Sequence, residues 1–183
     1  MLELRIHGYG GQGAVTLAHL LATAALFNGS QGQALPSFGV ERRGSPVKAV
    51  VRISDEMIRV HSQSIEPDIL VLMSEHLLER ALNEGYKANA RILYNGVEAV
   101  AAPLPTYRVD ADGIATSAGL LSPNGPFINV PMFGACCRLI DIPLHAMEQA
   151  VRQQWRGAVA EKNLQVATTA YEGMIMEMGG EKA

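Results

Sequence analysis

Apolar and polar positions recur along the chain with two different periods. Leu2, Leu4 and Ile6 fall on one side of a two-residue repeat and predict a strand over 2–7. Gly8 to Gly13 then reads as a turn, and 14–27 as a helix stopped by Asn28 and Gly29. That helix is apolar round most of its circumference (Val15, Leu17, Ala18, Leu20, Leu21, Ala24), the pattern of a helix buried between layers. A short strand over 33–36 runs into an irregular stretch, 37–46. Two β-rich runs, 47–54 and 57–61, joined by Asp55 and Glu56, predict a hairpin, although Asp-Glu is not a favoured turn pair. After Pro67 the continuous apolar run 68–73 suits a parallel strand covered on both faces. A helix over 75–83, ending near Gly85, leads to a second buried strand over 90–94.

The last third turns helical. Asn129 is placed to cap a helix running to about Ile140, with Pro131 tolerated in its first turn. Asp141, Ile142 and Pro143 break it. A second helix carries Met147, Ala150, Val151 and Trp155 on one face, and a third carries Leu164, Ala167, Tyr171, Met174 and Met178 at spacings of three and four. Residues 179–183 are expected to fray. With no repeat or linker in view, the pattern predicts one domain over residues 1–183. Its class is α/β: a Rossmann-like, mostly parallel sheet with an antiparallel hairpin insertion and a helical C-terminal part.

Composition narrows the function classes. Of 183 residues, 48% are hydrophobic and 18% charged, which excludes a disordered chain. No apolar run approaches the ~20 residues needed to span a bilayer. No basic leader with a cleavage site opens the chain, so the expected location is cytoplasmic, away from membranes. A net charge of −3 gives no footprint for nucleic acid. The two cysteines, Cys136 and Cys137, are adjacent and cannot build a disulfide framework or supply four cluster ligands. The five histidines (His7, His19, His61, His76, His145) show no i, i+3 or i+4 pair. Any redox metal is therefore expected on another polypeptide.

Two segments carry candidate chemistry. Gly8, Gly10 and Gly13 satisfy G-x-G-x-x-G between a strand and a helix, with Gly11 inside the turn. Such a turn either packs the helix on the sheet or brings backbone N–H groups to an anion. A dinucleotide would also need an acid at the end of the second strand, some 20 residues on, and 31–36 has none; the first acid after the motif is Glu41. The second segment, Ser37 to Pro46, holds Arg42, Arg43 and Gly44, with Lys48, Arg52 and Arg59 beyond. Arginine is suited to a bidentate grip on phosphate or carboxylate, while a cluster of this kind also occurs simply as a solvated face.

Four motifs in order, Gly8-x-Gly-Gly-Gln-Gly13, Ser37-x-Gly-x-Glu-x-Arg-Gly44, Val47-x-Ala-x-Val-Arg-Ile-Ser54 and Pro67-Asp-x-Leu70, resemble the gamma subunit of the 2-oxoacid:ferredoxin oxidoreductases. Asn129-x-x-x-Phe-Gly-Ala135 is similar but less specific. Ser45 stands where that family usually has a second glycine. The resemblance implies a subunit without catalytic or metal-ligating residues of its own. It implies work beside alpha, beta and possibly delta subunits that carry thiamine diphosphate, a divalent metal and iron–sulfur clusters. The complex would convert a 2-oxoacid and coenzyme A to acyl-CoA and carbon dioxide and pass electrons to ferredoxin. The residues then expected at the coenzyme A site are Gly8, Gly10, Gly11, Gly13, Ser37, Arg43 and Gly44. Alternative readings are the small subunit of an indolepyruvate:ferredoxin oxidoreductase, or an autonomous nucleotide-binding oxidoreductase. His7, Cys136 and Cys137 read as buried packing residues, and Asp110 and Asp112 as members of a solvated turn.

Overall fold

The computed structural model describes residues 1–37, 44–60, 62, 66–123 and 125–177. Its elements in chain order are β1 (Leu2–Tyr9), α1 (Ala14–Phe27), β2 (Gln31–Ser37), β3 (Pro46–Ser54) and β4 (Ile69–Leu72). A 3₁₀ turn (Glu75–Leu77) leads into α2 (Leu78–Asn83), followed by β5 (Arg91–Asn95), β6 (Thr106–Val109) and α3 (Ala111–Ser117). The remainder is β7 (Leu121–Ser122), β8 (Gly125–Pro126), α4 (Asn129–Leu139), α5 (Leu144–Gln154), α6 (Gly157–Gly173) and β9 (Ile175–Glu177).

Seven strands form one sheet in the order β2-β3-β1-β4-β5-β6-β9. The central four, β1, β4, β5 and β6, are parallel, as the Rossmann-like reading requires. At one side β3 runs antiparallel to both β1 and β2; at the other β9 runs antiparallel to β6. The antiparallel insertion is thus present, but its arms are β2 and β3. The expected second arm, over 57–61, forms no strand over the described residues 57–60.

Strand alternation sorts the core into two layers. Leu4 and Ile6 of β1, with Ile69, Val71 and Met73 at β4, face a large cluster under α1, α4, α5 and α6. Leu70 and Leu72 face a smaller one with Ala81, Ile92 and Tyr94, under α2. α1 packs on β2 and β3 with one side and on α4 and α5 with the other, which is why its apolar residues surround the helix. Truncating one of its buried leucines, such as Leu17 or Leu21, would cost about 2–5 kcal/mol.

Three local expectations need correction. Asn129 does not cap α4; the cap position is Ile128, and Asn129 is the first helical residue, buried against the Gly13 turn. Met174 lies past the end of α6, where the chain turns extended to form β9, and Met178 lies outside the described residues. Asp110 is not in a loose turn: it caps α3, its carboxylate accepting from the Gly113 amide at 2.7 Å. Among the described residues no helix is long and apolar enough to cross a membrane.

Candidate functional site

The parallel strands end together at one edge of the sheet, where open α/β sheets place their ligands. The glycine turn stands at that edge, after β1. Gly11 (φ +100) and Gly13 (φ +85) both adopt left-handed backbone, which a side chain would strain. Gln12 closes the turn on itself, its Oε1 accepting from the Tyr9 amide at 2.8 Å. Gly13 is the N-cap residue of α1 and brings no side chain, so no side chain caps the first-turn amides. A Cβ at Gly13 would lie 3.0 Å from that of Asn129, whereas one at Gly11 would meet nothing within 4 Å. Gly13 is thus needed for packing as well as for backbone shape, and Gly11 presents bare backbone to open space.

The same edge receives the end of the arginine loop. Gly8 and Tyr9 pair with Val47 and Pro46 across β1 and β3. Beyond them the Gly10 amide donates to the Ser45 carbonyl at 2.9 Å, and the Gly44 amide to the Gly10 carbonyl at 3.4 Å. Gly44 (φ +80) also has nothing within 4 Å of where a Cβ would stand. Ser37 ends β2 opposite Lys48. Gly8, Gly10, Gly11, Gly13 and Gly44 therefore share one edge of the molecule, with Ser37 on the strand next to it. Arg42 and Arg43 lie outside the described residues.

The crevice beside this platform has the wrong charge for a pyrophosphate. A hollow of about 310 Å³ is lined by Gln12, Ser74, Glu75, Asn95, Asp110 and Asp112, among others. None of its three carboxylates is in an ion pair with a basic side chain among the described residues. Asn95, buried at the end of β5, organises its floor. Its Nδ2 donates to the Asp112 carboxylate at 2.7 Å and to the Met73 carbonyl at 3.3 Å, and its Oδ1 accepts from the Ala111 amide at 3.0 Å. Asn95 and Gly96 follow the strand expected over 90–94, so Asn95 had no signal beyond being a polar residue after an apolar run.

The sheet order also removes the dinucleotide geometry. A ribose-binding acid sits at the end of a parallel strand next to the glycine-turn strand. Here β3 occupies that place and runs the other way, which moves β2 one strand further out. The glycine turn is not the start of a dinucleotide site.

Most basic residues of the described part have internal duties. Lys48 pairs with Glu84 at 2.9 Å. Arg52 is buried, with its Nε on the Glu3 carboxylate at 2.5 Å and its terminal nitrogens on Gln33 Oε1, the Val60 carbonyl and the Ser62 carbonyl. Arg59 is exposed, at the other end of the sheet. His7 is buried on the α2 face, its Nε2 accepting from Arg5 Nε at 3.0 Å. Burial, reinforced by the Arg5 charge, pushes its imidazole down to about 4. It is thus a neutral packing residue at ordinary pH. Arg5 in turn donates to the Ala81, Glu84 and Gly85 carbonyls at the end of α2.

Cys136 and Cys137 are fully buried in α4, and burial pushes both thiols up, so neither fits a cluster ligand or a nucleophile. Among the described residues no three His, Cys, Asp or Glu side chains are placed to hold a metal ion.

Residues 3–173 match the family described as Pyruvate ferredoxin/flavodoxin oxidoreductase, and the chain belongs to it. It is 39% identical to pyruvate synthase subunit PorC of Methanocaldococcus jannaschii, over 98% of this chain and 100% of that one. It is 36% identical to the pyruvate/ketoisovalerate oxidoreductases common subunit gamma of Thermococcus kodakarensis, over 96% and 98%. The crystal structure of pyruvate oxidoreductase subunit PORC from Thermotoga maritima has the same fold, with TM-score 0.81, 32% identity and 96% and 97% of the two chains covered.

Proposed function

We propose that this chain is the gamma subunit of a 2-oxoacid:ferredoxin oxidoreductase, with pyruvate, or pyruvate and a branched 2-oxoacid, as substrate. The named relatives support that substrate class. In this role the chain makes no bond itself. Thiamine diphosphate, a divalent metal and iron–sulfur clusters reside on companion alpha, beta and delta subunits, and ferredoxin takes the electrons from the complex. Residues 1–183 act as one gamma-type domain in the cytoplasm, without nucleic acid or membrane partners.

The chain's contribution is a wall at the coenzyme A site, formed by Gly8, Gly10, Gly11, Gly13, Ser37, Arg43 and Gly44. The observation that carries this reading is the joining of the glycine turn to Gly44 and Ser45 through the Gly10 backbone. It puts bare backbone and uncapped helix amides beside Gly44, the residue that follows Arg43 in the sequence, a donor set suited to phosphate. The acidic crevice keeps such an anion on the Gly44 side of the turn.

The test is reconstitution. The lone chain should be colourless and should not reduce viologen with pyruvate. Added to its companion subunits, it should restore coenzyme A-dependent ferredoxin reduction. Turnover by the chain alone, low-micromolar NADH binding by calorimetry, or full activity of the companions without it would each overturn the reading.

A further inference from the structure

Two helices, α1 and α4, begin side by side, and neither start is capped. Gly13 precedes α1 and Ile128 precedes α4; neither supplies a side-chain acceptor, and neither helix has an acid in its first turn. The Leu17 amide donates to the Gly13 carbonyl at 2.9 Å, and the Met132 amide to the Ile128 carbonyl at 3.0 Å. Ahead of them, the amides of Ala14, Val15 and Thr16 in α1, and of Asn129 and Val130 in α4, have no acceptor among the described residues. Ala14 and Val130 are each only 2% exposed. Buried N–H groups without partners are rare, and a helix start carries partial positive charge.

Asn129 stands between the two starts. It is 8% exposed, and its carboxamide lies over Gly13: a Cβ there would be 3.1 Å from Asn129 Cγ and 3.2 Å from its Nδ2. Among the described residues this carboxamide has no hydrogen-bond partner, whereas every side-chain polar atom sealed from solvent has one. Its Oδ1 and Nδ2 are therefore reachable from outside. A largely buried amide group with nothing to bond is a place suited to a ligand. A carboxylate at this position would neutralise both helix starts from within the chain; a carboxamide leaves them positive. The acidic crevice is lined by Gln12, not by Gly13 or Asn129.

We infer that Asn129 and the starts of α1 and α4 form a phosphate site. The free amides and Asn129 Nδ2 are its donors, and the two helix ends supply its positive potential. The group it takes is a phosphate of coenzyme A, an assignment that rests on the subunit reading above. Coenzyme A carries a pyrophosphate and, on its ribose, a 3′-phosphate, so one can lie by Gly44 while the other meets Asn129. A phosphate bound here also ties α1 to α4, so it stabilises the chain even without its companions.

The experiment has two arms. In the lone chain, about 50 mM inorganic phosphate should raise Tm by about 3 °C or more over chloride at equal ionic strength. Asn129→Asp should abolish that rise and, in chloride, melt no lower than the parent, because the new charge itself neutralises the helix starts. In the assembled oxidoreductase, Asn129→Asp should raise the apparent constant for coenzyme A about tenfold or more, and Asn129→Ala severalfold, with the 2-oxoacid constant unchanged. Dephospho-coenzyme A identifies the group: a penalty that disappears with it assigns the 3′-phosphate, and one that persists assigns the pyrophosphate. An equal phosphate response in the parent, Asn129→Asp and Asn129→Ala would overturn the site and make Asn129 a packing residue. A lost response with the coenzyme A constant unmoved would overturn the assignment to coenzyme A. A parent complex that does not use coenzyme A would overturn the subunit reading, while the phosphate response of the lone chain would still uphold the site.

Discussion

The Gly10 amide donates to the Ser45 carbonyl at 2.9 Å, so the turn after β1 and the approach to β3 form one surface. The β1–β3 ladder runs on past its last strand pair, Tyr9 with Pro46, into two glycine-bearing segments far apart in sequence. Open backbone at Gly11 and Gly44 results on the side facing away from the core.

Gly13 and Gly11 should respond differently to the same substitution. Alanine at either one forces a side chain into left-handed backbone, at about 1–2 kcal/mol. At Gly13 the new methyl also meets Asn129 Cβ at 3.0 Å, where α4 begins. Gly13→Ala should therefore cost about 2–3 kcal/mol and lower Tm by roughly 5–10 °C, with Gly11→Ala costing about half as much. Differential scanning calorimetry of the two variants checks the order. A Gly11 variant as damaged as the Gly13 variant would contradict it.

Arg52 should behave as a brace. Arg52→Met would remove the donor shared by the Glu3 carboxylate and the Val60 and Ser62 carbonyls, at about 3–5 kcal/mol. Arg52→Lys should recover little, because a point charge cannot span acceptors on β1, β2 and the 60–62 segment. Exposed Arg59→Met should stay within about ±0.5 kcal/mol. Urea unfolding of the three variants distinguishes these roles.

His7 sets an acid limit on stability. In the fold its imidazole stays neutral down to about 4, while in the unfolded chain it takes a proton near the ordinary 6.5. Between those values the unfolded state binds more protons, so stability falls as pH drops. The full loss from this one group is about 3 kcal/mol. His7→Gln keeps an acceptor for Arg5 and removes the titration. Its urea midpoint should fall less between pH 6.5 and 4 than that of the wild type. Parallel curves would assign the acid sensitivity to other groups.

How much was legible in the sequence follows from how local each signal is. The α1 boundaries, 14–27, were readable because Gly13 and the Asn28-Gly29 pair act within one turn. The buried run at β4 was readable because both of its faces are covered. β6 and α3 were not: Thr106-Tyr-Arg-Val is four residues long with two partly exposed polar or amphipathic members, too short for a period to show. The expected arm over 57–61 shows no strand over 57–60 because its partner strand, β3, is already paired on both sides, and Arg52 takes the Val60 carbonyl. The glycine turn after β1 was readable from its motif. Their union with Gly44 and Ser45, the acidic crevice and the role of Asn95 depend on strand order, which no local pattern encodes.

Arg43 bears most directly on the claim that this chain shapes the coenzyme A site. The measurement is the apparent constant for coenzyme A in the assembled oxidoreductase, at saturating 2-oxoacid, with ferredoxin reduction as the readout. Loss of a charge-assisted contact worth about 1.5–3 kcal/mol should raise that constant roughly ten- to a hundredfold in Arg43→Ala. Arg42→Ala, which removes the same charge one position away, should do less, and both lone variants should keep the parent Tm within about 2 °C. Equal and small effects from the two substitutions, or a fall of several degrees in the Tm of lone Arg43→Ala, would contradict the account.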